Sequence, residues 1–224
     1  MNDPAVIEGR HVLLFDLDGT LYPASEHQPY LDEVNRITGL RVQEIYDAAD
    51  GYEAHARLRE DRVRHGFTSD TETLASLHGI EMAEMNRFRE RNTRPERFLE
   101  PDPRVIDAVG RCLATRVLVL GTNNTPGLAR TILRVLGIDE AWFAGIFASE
   151  DLGAPKPAAS FFEELCARTG LRAKDMVSVG DRPESDLVPA AALGMATWHV
   201  QNMTDLETLA AACEAAPPRE SPAS

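Results

Sequence analysis

The most informative part of this 224-residue chain is residues 11–20, His-Val-Leu-Leu-Phe-Asp-Leu-Asp-Gly-Thr. Its first half is short, apolar and uninterrupted, which is typical of a strand buried on both faces of a parallel sheet. Asp16 and Asp18 follow this apolar run, so two carboxylates leave the strand at its carboxyl end. Open α/β sheets bind their ligands at that end. The stretch therefore predicts a buried strand that leads into a carboxylate-bearing site.

Similar apolar segments recur along the chain and alternate with helical patterns. The predicted strands span residues 11–16, 116–121, 145–149, 176–180 and 196–200. The helices predicted between them span residues 126–136, 158–169 and 184–193, the last with Pro189 in its interior. Strands that alternate with helices predict an α/β fold, in which helices cover both faces of a parallel sheet.

The segment at residues 22–100 has a different character, because it is polar and charged and contains no convincing strand. Its helix-like stretches are residues 31–37, 42–56 and 83–91. We therefore predict a helical domain at 22–100 that is inserted between two parts of a core, residues 1–21 and 101–213. The last segment, 214–224, is rich in Pro and Ser and is predicted to be a disordered tail.

The composition of the chain limits the partners that it can bind and indicates the compartment in which it is found. With 23 basic against 36 acidic residues, the chain has a net charge of −13, which repels nucleic-acid polymers and anionic membrane surfaces. No apolar run approaches the roughly 18 residues of a membrane-spanning helix, and the start of the chain does not resemble a signal peptide. The 3 cysteines are far apart, which indicates a reducing compartment. We expect a cytoplasmic protein that binds neither membranes nor nucleic-acid polymers.

Carboxylates follow two of the predicted strands. Asp16 is a candidate nucleophile and Asp18 a candidate general acid and base, although Asp-Gly pairs are also common in turns. Asp181 ends its strand, and Asp186 lies about one helical turn further on. Together with Asp16, these carboxylates would form an oxygen-rich Mg²⁺ site. Alternatively, Glu184 and Asp186 complement the positive end of a helix.

Polar and basic side chains stand at two further positions. Thr122 and Asn123 follow a strand and precede a helix, where they can hydrogen-bond an anion. The alternative is helix capping, for which Asn124 or Thr125 is the expected residue. Lys156 lies between two prolines in a chain that has 21 arginines and 2 lysines. Its compact ammonium suits a site shared by a carboxylate and a phosphoryl group, although it could be an ordinary surface lysine.

Taken together, these residues resemble the haloacid dehalogenase superfamily. That superfamily combines an Asp-x-Asp-x-Thr motif, a Thr or Ser after the second strand, a Lys, and a Gly-Asp-x-x-x-x-Asp motif. The corresponding residues here are Asp16, Asp18, Thr20, Thr122, Lys156, Asp181 and Asp186. The resemblance implies a Rossmann-like catalytic core, a helical cap at 22–100 that selects the substrate, and Mg²⁺ as the cofactor.

The resemblance also implies a role for each residue. Asp16 attacks the phosphoryl group, Asp18 moves the protons, and Lys156 keeps Asp16 ionised. The residues implied to hold the phosphoryl oxygens are Thr122, Asn123 and Lys156. The residues implied to hold Mg²⁺ are Asp16, Asp18 through its backbone carbonyl, and Asp181 or Asp186. The candidates for contact with the leaving group, by nearness to Asp16 in the sequence, are Tyr22, Ser25 and His27.

The presence of Asp18 distinguishes between two reactions of the superfamily, phosphoryl transfer and dehalogenation. The dehalogenases of the superfamily lack this second Asp because a halide leaves without a proton, so phosphoryl transfer is implied here. Residues 15–23 and 180–189 most resemble the pyrimidine 5′-nucleotidase branch. We therefore predict that a monomer or homodimer hydrolyses a small phosphorylated metabolite, a pyrimidine nucleoside 5′-monophosphate. The alternatives are phosphoglycolate or a sugar phosphate as the substrate, a phosphomutase, a dehalogenase, or a binding protein without catalytic activity.

Overall fold

Strands and helices alternate through most of the chain, and the computed structural model describes residues 2–67 and 69–216. The strands are β1 (Val12–Phe15), β2 (Asp18–Gly19), β3 (Tyr22–Pro23), β4 (Val117–Thr122), β5 (Phe143–Ala148), β6 (Met176–Gly180) and β7 (Ala196–His199). The helices are α1 (Ala24–Leu40), α2 (Gly51–His65), α3 (Asp70–His78), α4 (Met82–Asn92), α5 (Pro103–Leu113), α6 (Pro126–Val135), α7 (Ser149–Leu152), α8 (Ala159–Thr169), α9 (Val188–Ala192) and α10 (Met203–Ala215).

Five of the strands form one parallel sheet in the order β5-β4-β1-β6-β7. The central strand β1 pairs with β4 on one side and β6 on the other, so Val12 lies beside both Val117 and Met176. Val12 and Leu14 pack in one apolar cluster with Phe161 of α8. Because side chains alternate along a strand, the other residues of β1 face the opposite side of the sheet, where they are equally buried. The predicted α/β fold with a parallel sheet is confirmed.

The predicted and observed elements differ most after β6. The helix predicted over 184–193 is instead a π-helical turn, Pro183–Leu187, followed by α9. In this turn the N–H of Val188 donates to the carbonyl of Pro183. Pro189 has no N–H and cannot supply the bond that a regular α-helix needs at its position. Asp186 therefore lies in a widened turn next to the end of β6.

The chain divides into two compact units, Met1–His27 with Leu99–Ser224, and Gln28–Phe98. The second unit contains α2, α3, α4 and most of α1, and its described residues, 28–67 and 69–98, include no β-strand. The core of this unit consists of Val42, Ala54, Leu58, Leu74, Ile80 and Met85.

The helix predicted over 42–56 is wrong in its first half. A turn occupies this part of the second unit, Asp47 adopts a φ of +48°, and α2 begins only at Gly51. The carboxylate of Asp50 caps α2 by accepting a hydrogen bond of 2.9 Å from a backbone N–H three residues on. Gly51 lies against α1, because a Cβ at this position would be 2.3 Å from the carbonyl oxygen of Arg36.

Helix α10 extends into the segment predicted to be a disordered tail. Glu214 and Ala215 belong to the helix, and the carboxylate of Glu214 pairs with the guanidinium of Arg111 at 2.6 Å. The rest of that prediction, residues 217–224, lies outside the described residues. None of the helices within the described ranges is long and apolar enough to cross a membrane.

Candidate active site

Asp16 stands where β1 ends, at the carboxyl edge of the sheet. Its N–H donates to the carbonyl of Val179 in β6 at 2.9 Å, which continues the strand pairing and directs the side chain. The carboxylate accepts from two sides, since Lys156 Nζ lies 2.5 Å from Oδ1 and Thr20 Oγ1 lies 3.3 Å from Oδ2. Asp16 is only 6% exposed. The predicted nucleophile is therefore a buried carboxylate of fixed orientation.

Lys156 connects two of the predicted aspartates. Its buried ammonium lies 2.5 Å from Asp16 Oδ1 and 2.7 Å from Asp186 Oδ1. The side-chain amide of Asn123 holds the backbone of Lys156 by accepting from its N–H at 2.9 Å and donating to its carbonyl at 3.0 Å. Lys156 is thus not a surface lysine. Asn123, predicted to contact phosphate, directs its amide to the lysine backbone.

Asp181 and Asp186 follow β6 and approach the same point. Asp186 is 1% exposed, and its Oδ2 accepts from the N–H of Arg182 at 3.1 Å. Two glycines make room for these carboxylates. A Cβ at Gly19 would lie 2.4 Å from Asp181 Oδ2, and a Cβ at Gly180 would lie 2.4 Å from Asp186 Cβ. The loop after β1 and the turn after β6 can approach this closely only with glycine at both positions.

The structure brings together three of the predicted metal ligands. Carboxylate oxygens of Asp16, Asp181 and Asp186 lie within 4.8 Å of one another. Within the described part of the chain, the buried Oδ1 of Asp181 has no hydrogen-bond partner. A buried carboxylate oxygen needs a partner, and oxygen donors alone suit a hard divalent cation. The three carboxylates therefore fit a hard metal ion.

The electrostatics of the cluster depend on burial and on mutual repulsion. Burial, together with the negative charges of Asp186 and Asp181, raises the pKa of Asp16 to about 8, against the opposing effect of Lys156. Burial likewise raises the pKa of Asp181 to about 6. Burial alone would lower the pKa of Lys156, but the charges of Asp16 and Asp186 raise it above its ordinary value. A divalent cation would relieve the repulsion and favour the ionised carboxylates.

After β4, one threonine caps the following helix and another remains available to bind an anion. Thr125 is the N-cap of α6, because its Oγ1 accepts from the N–H of Leu128 at 3.1 Å. Thr122 is fully buried, and its Oγ1 accepts from the N–H of Asn124 at 3.1 Å. A hydroxyl that accepts one hydrogen bond still has its own hydrogen to donate. Thr122 therefore retains a donor for an anion.

Asp18 has a hydrogen-bond partner at each oxygen of its carboxylate. Its Oδ2 accepts from Asn124 Nδ2 at 2.7 Å, and its Oδ1 accepts a short hydrogen bond from the hydroxyl of Tyr22. The sequence motifs predict only helix capping for Asn124 and do not indicate this contact with Asp18. Of the leaving-group candidates, Tyr22 is buried against the ring of His27, and Ser25 Oγ donates to the carbonyl of Gln201 at 3.3 Å.

The sequence profile of the haloacid dehalogenase-like hydrolases matches residues 11–194. The chain belongs to this family. The match begins at β1 and includes every predicted site residue. The predicted enzyme class, a hydrolase of the haloacid dehalogenase superfamily, is therefore confirmed.

Individual members of the family are similar over most of the chain. The glyceraldehyde 3-phosphate phosphatase of Methanocaldococcus jannaschii is 44% identical over 206 residues, which cover 84% of this chain and 83% of the relative. The protein of the same name from Methanopyrus kandleri is 27% identical over 205 residues, with coverage of 84% and 83%. The crystal structure of a haloacid dehalogenase-like hydrolase from Bacillus subtilis, bound to magnesium, shares the fold. Its TM-score is 0.59 at 18% identity, and the match covers 90% of this chain and 99% of that one.

The comparisons assign the superfamily and do not support the predicted branch within it. Both curated relatives are named glyceraldehyde 3-phosphate phosphatase rather than pyrimidine 5′-nucleotidase. The two motifs that suggested the nucleotidase, residues 15–23 and 180–189, contain the three carboxylates of the cluster. Neither relative carries the nucleotidase name, so that branch stays a prediction.

Proposed function

We propose that this member of the haloacid dehalogenase-like hydrolases is a Mg²⁺-dependent phosphomonoesterase that acts through an aspartyl-phosphate on Asp16. The observation that carries the proposal is the buried contact of 2.5 Å between Lys156 Nζ and Asp16 Oδ1, beside two further carboxylates. This lysine supplies positive charge for a phosphoryl group in a chain whose net charge is −13. Asp18, two residues beyond the nucleophile, supplies the proton that an ester leaving group needs.

The proposed reaction has two steps. The carboxylate of Asp16 attacks phosphorus, the bond from phosphorus to the leaving oxygen breaks, and Asp18 gives its proton to that oxygen. Asp18 then takes a proton from a water molecule, which attacks the phosphorus and releases inorganic phosphate and the free Asp16 carboxylate. Lys156 and the hydroxyl of Thr122 hold the phosphoryl oxygens in both steps.

Magnesium, when bound, neutralises the negative charge shared by the nucleophile and the phosphoryl group. Asp16, the backbone carbonyl of Asp18 and Asp181 would hold it. We assign the direct contact to Asp181 because its Oδ1 has no hydrogen-bond partner among the described residues. Both oxygens of Asp186 already accept hydrogen bonds, one from Lys156 and one from a backbone N–H. Asp186 would then orient Lys156 and contribute its charge to the metal site.

The substrate that we propose is a small sugar phosphate of the triose type. The support is the 44% identity, over 84% of the chain, with the glyceraldehyde 3-phosphate phosphatase of Methanocaldococcus jannaschii. The second candidate is a pyrimidine nucleoside 5′-monophosphate, which is favoured by the resemblance of residues 15–23 and 180–189 to the pyrimidine 5′-nucleotidase branch.

The proposal is tested by phosphate release from a panel of esters. The panel contains glyceraldehyde 3-phosphate, other sugar phosphates, phosphoglycolate, UMP, CMP and dTMP, each with Mg²⁺ and with EDTA. We expect Mg²⁺-dependent release that is lost in Asp16→Asn, with kcat/KM highest for a sugar phosphate. A preference for UMP, CMP or dTMP would establish the second candidate. Release from no ester by folded protein with Mg²⁺ would overturn the phosphatase proposal, and halide release from a haloacid would identify a dehalogenase.

A further inference from the structure

The carboxylate of Asp18 is held at both of its oxygens. Asn124 Nδ2 donates to Oδ2 at 2.7 Å, and the hydroxyl of Tyr22 donates to Oδ1. A carboxylate with one hydrogen bond can still turn about its side-chain bonds. Two donors on opposite oxygens define the plane of the carboxylate as well as its position.

Both donors lie in the first unit, where neighbouring groups hold them. Tyr22 lies in β3, which pairs with β2 so that Tyr22 and Asp18 are direct neighbours across the two strands. The tyrosine is fully buried, and its ring packs edge-on against the ring of His27 at 5.9 Å. Asn124 is held by its own N–H, which donates to Thr122 Oγ1 at 3.1 Å, immediately before α6 begins. Burial and ring packing restrict Tyr22, and the backbone hydrogen bond restricts Asn124.

Asp18 does not belong to the cluster of three carboxylates that would hold the metal ion. Asp16, Asp181 and Asp186 form the cluster within 4.8 Å, and Asp18, although only two residues from Asp16, is not a member of it. Loss of either donor would leave one oxygen of the Asp18 carboxylate without its present hydrogen bond. A general acid must point at the leaving oxygen of the substrate.

We infer that Tyr22 and Asn124 are positioning residues that hold Asp18 for proton transfer to an alkoxide leaving group. The inference rests on the proposed function and narrows its substrate class to alkyl phosphomonoesters. An alkoxide is strongly basic and departs slowly without a proton. An activated aryl ester such as p-nitrophenyl phosphate expels a weakly basic phenolate that needs no such help.

The test compares two esters in two variants. Tyr22→Phe and Asn124→Ala each remove one donor to Asp18. For either variant we expect kcat/KM to fall about tenfold or more for an alkyl ester, such as glyceraldehyde 3-phosphate or glycerol phosphate. For p-nitrophenyl phosphate we expect kcat/KM to stay within about twofold, because kcat/KM reports steps up to formation of the aspartyl-phosphate. In an Asp18→Asn background, neither substitution should lower alkyl-ester turnover further.

Tyr46→Phe is the matched control. The hydroxyl of Tyr46 also donates to a carboxylate, that of Asp61 at 2.8 Å, but this pair lies in the second unit. We expect kcat/KM of this variant to be unchanged for both esters. Equal losses on both esters in Tyr22→Phe or Asn124→Ala would indicate direct substrate contact or damage to the fold, and would overturn the inference. Unchanged alkyl-ester turnover in both variants would overturn it as well.

A structural measurement separates this inference from the proposed function. Crystal structures of Tyr22→Phe and Asn124→Ala report the side-chain torsions of Asp18 whether or not any ester is hydrolysed. We expect the carboxylate to leave its present orientation, or to occupy several, in at least one variant. An unchanged Asp18 in both variants would refute the positioning role even if the enzyme is an active phosphatase. A displaced Asp18 in a protein that hydrolyses no ester would refute only the proposed function.

Discussion

Lys156 Nζ lies 2.5 Å from Asp16 Oδ1, although 140 positions separate the two residues in the chain. The contact is buried and shared with Asp186, so one ammonium serves two carboxylates. Buried charges are stable only when they are paired and hydrogen-bonded. The buried charges of Lys156, Asp16 and Asp186 therefore stabilise one another in the folded protein.

Replacement of Lys156 by methionine should lower both the activity and the stability of the protein. We expect Lys156→Met to lower kcat about 10²- to 10³-fold, because the phosphoryl oxygens lose a buried cation. In EDTA, the free energy of unfolding should fall by about 3 kcal/mol, because two buried carboxylates lose their partner. Phosphate-release kinetics and urea denaturation measure these effects.

Lys174 provides the control for this prediction, since it is an exposed lysine outside the site. Lys174→Met should leave both quantities within experimental error of the wild type. Full activity in Lys156→Met would contradict the role assigned to the ammonium.

Asp181→Asn should weaken metal binding more than the substitution of a neighbouring acid. Asp181 has the buried oxygen without a partner among the described residues, whereas Glu184 is exposed in the same loop. A ligand that binds only the folded state raises its stability. Mg²⁺ should therefore raise the Tm of the wild type and of Glu184→Gln, EDTA should reverse the rise, and Asp181→Asn should show almost none. An equal rise in all three proteins would exclude Asp181 as a metal ligand.

Gly19→Ala should damage the site through a steric contact. A Cβ at Gly19 would lie 2.4 Å from Asp181 Oδ2, and the residue has a φ of +80°. Gly9 has a φ of +69° but no atom within 4 Å of the added Cβ, so Gly9→Ala controls for backbone strain. Both variants should lose about 1 kcal/mol of unfolding free energy. Only Gly19→Ala should also bind Mg²⁺ more weakly by calorimetry, and unaltered binding would contradict the close approach.

Asp70 should make the stability of the second unit depend on pH. Its carboxylate lies 2.8 Å from His55 Nε2 and 2.9 Å from Arg62. Burial raises the pKa of Asp70, but the hydrogen bond and charge of His55 and the charge of Arg62 outweigh it, so the net pKa is lowered. A lowered pKa in the folded state adds stability above the usual aspartate value of about 3.9, and this contribution is lost as the pH falls through the folded value.

The Asp70→Asn variant lacks this titration. The difference in unfolding free energy between wild type and Asp70→Asn should therefore shrink below about pH 4, as the Asp70 carboxylate becomes protonated. Urea denaturation across pH 3 to 7 measures it. A difference that does not change with pH would show that the ion pairs of Asp70 contribute no net stability.

Local sequence patterns were sufficient to predict the strands of the sheet and the three carboxylates that meet at its edge. Residues 12–15 are apolar and precede Asp16 directly, and residues 176–180 precede Asp181 in the same way. Both signals lie within a few adjacent residues, so they can be recognised without knowledge of the fold. The superfamily follows from these motifs for the same reason. The helix predicted at 42–56 failed because Asp50 and Gly51 start the helix through a cap and a close approach to α1, which apolar spacing does not encode.

The hydrogen-bond partner of each polar side chain at the site became apparent only in the folded chain. Asn123 holds the backbone of Lys156 and Asn124 holds Asp18, although the two asparagines are adjacent and chemically identical. Their roles differ because β4 lies next to β1 in the sheet, and the residues after β4 therefore meet partners that are 33 and 106 positions away in the chain. Such contacts arise from the order of strands in the folded sheet, which no single segment of the sequence contains.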